Sequence, residues 1–124
     1  MSMISRELVQ ECKQRLLRIK EDTLNRVKAS HREHTLIDKM SGDEIDQAVA
    51  QLAENSFLVN QDRLRHLLFE VENALARIQK NQYGICEETQ EPIEPERLLA
   101  IPYTRLSIEG AELREAMTKK YARY

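Results

Sequence analysis

A seam of apolar and small side chains at alternating spacings of four and three constrains this chain more than any other feature. It runs through Ala53, Phe57, Asn60, Leu64, Leu67, Val71, Ala74 and Ile78. That spacing keeps one narrow stripe on one face of a helix and predicts a coiled-coil partner for it. The partner is upstream. Val9, Cys12, Leu16, Ile19 and Thr23 follow the same rhythm, which then slips by one position and resumes at Val27, Ser30, His34 and Ile37. Such a slip reads as a stutter that locally unwinds a supercoil. The connection near Met40-Ser41-Gly42 is short, so the two stretches are expected to fold back on each other as an antiparallel hairpin. A second helix from about Glu44 to Lys80 would be roughly 55 Å long at 1.5 Å per residue.

From Asn81 to Ser107 the periodicity fails, and Gly84, Pro92, Pro95 and Pro102 divide the chain into short segments. Ser107 suits the N-cap of a last helix through Leu113, Ala116 and Met117, with Lys119, Lys120 and Arg123 near its negative end. The fold class expected is mainly α: a long antiparallel coiled-coil hairpin over residues 1–81, with its tip at about 40–48. Residues 82–124 would form a small, irregular, zinc-ribbon-like but metal-free cap and a short C-terminal helix. Ile93, Leu98, Ile101, Leu106 and Ile108 are the side chains expected to hold that cap together.

The cap carries the outline of a four-cysteine zinc site. Cys86-x-x-Thr89 and Ser107-x-x-Gly110 stand where two C-x-x-C pairs would be. Only Cys86 offers a thiolate, hydroxyls are poor zinc ligands and glycine has no side chain. The expectation from these residues is therefore no metal and no cofactor, zinc included. His31, His34 and His66 have no convergent Cys or carboxylate pattern around them, and Cys12 reads as a small buried hydrophobe. No nucleophile with its base and no phosphate-cradling glycine loop is present, so an enzyme is not expected.

The 124 residues carry a net charge of −2, which argues against direct sequence-specific DNA binding, since duplex affinity rests on clustered Lys and Arg. No apolar run is long enough to span a bilayer, and the two cysteines are too few for a disulfide framework, so no membrane association and a cytoplasmic location are expected. At the hairpin turn, Ser41-Gly42-Asp43-Glu44 has the form of a capping box, with Asp43 and Asp46 at i, i+3 spacing and Ala48 close behind. Helix starts favour acidic residues by about 0.3–1 kcal/mol each, which accounts for the pair without any function. At the end of a thin hairpin, the same acids can enter a partner's cavity.

Asp43-x-x-Asp46-x-Ala48, Tyr83-Gly84-x-Cys86, Ile93 and Arg97-Leu98-x-Ala100-x-Pro102, taken together, resemble the DksA/TraR family of bacterial RNA polymerase regulators. The resemblance runs from about Glu7 onward. It implies a protein, expected to act as a monomer, that binds RNA polymerase and inserts its tip through the secondary channel, with Asp43, Asp46 and Ala48 as the effector tip. The cap is similar to that of zinc-independent paralogues of the family. Where members responding to the nucleotide alarmone ppGpp present basic residues, this chain has Glu70, Ile101 and Ala111, while Asn60, Arg63 and Arg97 remain as remnants of the nucleotide site. An acidic Glu70 would repel phosphates, so a weak or absent ppGpp response is expected. Two other classes stay open on sequence: a Gre-like transcript-cleavage or elongation factor whose tip acids hold a catalytic metal, and a structural or adaptor hairpin.

Overall fold

The computed structural model describes residues 4–40 and 47–122 of the chain. They form four helices, α1 (Arg6–Met40), α2 (Gln47–Gln79), α3 (Pro95–Ala100) and α4 (Ile108–Ala122), and no strand among the described residues beyond an isolated bridge between Ile85 and Pro92. The fold is mainly α: an antiparallel coiled-coil hairpin, an irregular cap of the zinc-finger type and a last helix. Its contacts divide it into two compact units, Ile19–Phe69 and Met1–Arg18 with Glu70–Tyr124.

In the 19–69 unit, α1 and α2 run antiparallel. Asn60 Nδ2 donates to Ser30 Oγ at 3.4 Å, the His34 ring stacks on Phe57 with centroids 4.0 Å apart, and His34 Nε2 pairs with Glu54 at 3.2 Å. The described seam positions of α2 all turn inward to some degree, from Ala53 to Leu67 here and from Val71 to Ile78 in the other unit. Among the described residues of the 19–69 unit only three are buried, however, and two of them, Thr23 and Gln61, are polar; the third is Leu64. Thr23 turns its hydroxyl onto the carbonyl of Ile19 at 2.6 Å. Ser30, His34, Ile37, Ala53, Phe57 and Asn60 border a solvent-open groove of about 330 Å³.

The other unit is mostly apolar inside, with Thr104 and Ser107 its buried polar residues. Cys12 and Leu16 of α1, Val71 and Ala74 of α2, and Ile4, Tyr83, Cys86, Ile93 and Leu98 are all buried. Ser5 opens α1 by accepting the Leu8 N–H on its hydroxyl at 3.1 Å. Asn81 closes α2 in the left-handed region at φ 59°, a conformation asparagine tolerates at a helix end. Gly84 follows at φ 87°, and an added Cβ there would overlap the Ile4 side chain. The expectation for Ile108 does not hold: it is the first residue of α4 and 52% exposed, whereas Ile93 and Leu98 are buried and Ile101 and Leu106 half-buried.

Candidate functional site

Asp43 and Asp46, and with them the capping box of Ser41 and Glu44, lie outside the described residues. Ala48 stands in the first turn of α2 and is exposed.

The cap is built from two tight turns. The first is closed by the Cys86 N–H on Glu91 O at 2.8 Å, the Gln90 N–H on Cys86 O at 2.9 Å and the Ile93 N–H on Gly84 O at 2.8 Å. In the second, Ser107 caps α4, its Oγ accepting the Gly110 N–H at 3.0 Å and its carbonyl the Ala111 N–H at 2.8 Å. A bond from the Glu87 N–H to Arg105 O at 3.0 Å ties the two turns together.

This brings the four positions Cys86, Thr89, Ser107 and Gly110 to one point. Cys86 is wholly buried, which by itself pushes its thiol up, but hydrogen bonds from Ser107 and Thr89 outweigh that and lower it to about 6. The sequence marks Thr89 and Ser107 only as poor zinc ligands and gives no sign that their hydroxyls bond to the Cys86 sulfur. Gly110 approaches so closely that an added Cβ would overlap the Cys86 Sγ.

Beside this point lies a chain of ion pairs that sequence reasoning missed entirely. Arg105 grips Glu70 of α2 with both ends of its fork, Nε to Oε2 at 2.8 Å and Nη2 to Oε1 at 3.2 Å, and reaches Glu87 with Nη1 at 3.2 Å. These contacts hold its guanidinium above its ordinary pKa. Burial, and then the charge of Arg105, lower Arg77. Arg114 of α4 takes Glu88 at 2.7 Å. No periodic signal could join Glu70 to Arg105, because the pair is made by the return of the loop and not by a repeat.

Side chains of the helices also hold the backbone of residues 98–106. Arg15 donates to Leu99 O at 2.9 Å and Cys12 to Leu98 O at 3.7 Å, filling two of the carbonyls that α3 leaves open at its end. Tyr83 donates to Pro102 O at 2.8 Å, Arg77 to Thr104 O at 3.3 Å and Arg97 to Leu106 O at 2.8 Å. Of the three residues marked as nucleotide-site remnants, Arg97 is thus engaged with the backbone in one unit. Asn60 and Arg63 are bonded to each other at 3.3 Å in the other.

Residues 81–116, which contain all of these turns, match the prokaryotic dksA/traR C4-type zinc finger. The chain is 32% identical to an RNA polymerase-binding transcription factor DksA of Caulobacter vibrioides over 103 residues, 83% of this chain and 68% of the relative. It is 33% identical to an uncharacterized protein of Aquifex aeolicus, over 88% of this chain and 77% of that one. Among solved structures it superposes on the transcription factor DksA2 of Pseudomonas aeruginosa with a TM-score of 0.86 at 28% identity, covering 95% of this chain and 91% of the other.

The family match corrects one expectation, that zinc has no place in this region: the family matched is a C4-type zinc-finger family. The outline of such a site is in the sequence, and it is the count of donors at its four positions that leads to the expectation of no zinc. The four positions here supply one thiol and two hydroxyls, a set that does not make the four-thiolate cage. From the fold, the turns of the cap and the extent of the match, the chain belongs to the DksA/TraR family.

Proposed function

We propose that this protein is a transcription regulator that binds RNA polymerase directly and presents its hairpin tip, Asp43, Asp46 and Ala48, inside the secondary channel to modulate promoter complexes. The observation that carries this reading is the relative named as an RNA polymerase-binding transcription factor, which matches across 83% of the chain. Charge agrees with it. A chain of net charge −2 lacks the cationic excess that duplex binding needs, so its route to promoters is through a protein. The proposed division of labour gives residues 1–81 to the hairpin and its tip and residues 82–124 to the cap.

The same reading includes a weak or absent response to ppGpp. Glu70 places a carboxylate where a phosphate ligand needs a cation, and it already takes both ends of the Arg105 fork. Asn60, Arg63 and Arg97 are committed to partners within the chain.

The test joins binding to effect. Purified RNA polymerase should retain the wild-type chain and the Asp43→Asn, Asp46→Asn and Ala48→Thr variants alike. Only the wild type should change promoter-complex lifetime, and adding ppGpp should alter that change little. Failure of polymerase to retain the wild-type chain would overturn the reading, and equal promoter effects from all four at saturation would remove the tip from the mechanism.

A further inference from the structure

Gln61 is 4% exposed, and among the described residues neither its amide nitrogen nor its amide oxygen has a hydrogen-bond partner. A buried amide without partners is costly, because water satisfies both of its ends wherever it can reach them. Its position is informative. The crossings of Ser30 with Asn60 and His34 with Phe57 set Gln61 opposite the stretch of α1 that follows the slip in the heptad rhythm. At such a slip two neighbouring positions share the seam instead of one. The slip itself is in α1; on α2, whose rhythm is unbroken, Asn60 of the seam is half-buried and its neighbour Gln61, off the seam, is buried.

Little nearby opposes opening. Leu64 is the one buried apolar side chain of the described residues in this unit, the Ser30–Asn60 bond is long at 3.4 Å, and the groove beside Phe57 is open to solvent. Parting the helices would expose one fully buried apolar side chain and several half-buried ones while hydrating both atoms of the Gln61 amide.

We propose that Gln61 is a built-in release point: the helices of the 19–69 unit part and close again as a local cooperative unit, while the cap-bearing unit stays folded. Partial opening of this kind is ordinary where buried apolar contacts are few. A partner that grips the closed form would draw the population toward it by its preference for that form. The device belongs to the isolated chain and does not depend on what the chain binds.

Native-state hydrogen exchange on the full chain tests it, with Gln61→Met, which keeps the unbranched shape and removes the amide, and Gln61→Leu as a second apolar variant. In the wild type, amides of residues 24–37 and 50–66 should exchange through an opening that leaves residues 71–78 and 96–100 protected. Either variant should slow the first group by about tenfold or more, the factor expected when an orphaned amide is removed, and leave the second group unchanged. Exchange of both groups at one common rate in the wild type would overturn the proposal. So would an unchanged rate at residues 50–66 in both variants, or equal slowing of the two groups.

Discussion

The two units of this chain share one heptad rhythm but differ in how much apolar surface they bury along it. In the cap-bearing unit the seam closes on Cys12, Leu16, Val71 and Ala74, extended by Ile93 and Leu98 from the cap. In the 19–69 unit the same rhythm closes on Thr23 and Leu64, beside the buried amide of Gln61, with Ser30, His34 and Asn60 half-buried around them. Spacing decides that two helices pair; side-chain identity decides how firmly. One unit therefore has a core to lose, and the other is held by a thin stripe and a few polar crossings.

Leu98→Ala should strike the comparison hardest. Leu98 is wholly buried between the helices and the cap turns, and truncating such a side chain costs about 2–5 kcal/mol. Urea unfolding should show the loss, and an unchanged midpoint would mean that the cap is not held by packing.

Gly110→Ala should come next, at about 1–3 kcal/mol, since the new methyl overlaps the Cys86 Sγ and lies 3.3 Å from Ser107 Oγ. If that overlap is the cause, Cys86→Ala in the same chain should cost less than the sum of the two single changes. Strict additivity in the double-mutant cycle would point elsewhere.

Tyr83→Phe removes the donor to the buried Pro102 carbonyl and should cost about 1–2 kcal/mol. Burial, reinforced by the neighbouring Cys12, raises the Tyr83 phenol well above its ordinary value of 10.0. The folded state thus holds a proton that the unfolded chain gives up, so stability is full below about pH 10 and falls as pH rises beyond it. Absorbance titration should find one of the four tyrosines ionising only with unfolding, and Tyr83→Phe should flatten that alkaline loss. Equal alkaline sensitivity in both proteins would exclude Tyr83 as its source.

Ser30→Ala should have the smallest effect, about 0.5 kcal/mol or less, because it removes one long, half-solvated bond in the polar seam. A loss as large as that of Leu98→Ala would erase the contrast between the units.

How far the sequence was legible follows from the range of its signals. The seam from Ala53 to Ile78 and the Ser107 cap are patterns within a few residues, and both are in the structure. The six-residue α3 is too short to show a period; Pro95 at its start and Glu96 in its first turn were the available signs. Ile108 looked like core because it is apolar, but helix direction, which hydropathy does not carry, turns it outward. The Arg105 clamp on Glu70 and the hydroxyls around Cys86 depend on loops returning to the same place, which no local pattern encodes. The zinc-finger outline is legible in Cys86-x-x-Thr89 and Ser107-x-x-Gly110, but the replacement of the ligand residues at three of the four positions leads from that outline to an expectation of no zinc, which the family match corrects.

Five of the carbonyls of residues 98–106 are held by Arg15, Cys12, Tyr83, Arg77 and Arg97, all of them outside the segment. A main chain gripped in this way keeps its course whatever its own outward side chains are. Positions such as Ala100, exposed, and Tyr103, half-buried, could be diversified in a library while the path of the loop is preserved. The surface chemistry of this stretch is therefore separable from its shape, which makes it a place where new recognition could be written without redesigning the fold.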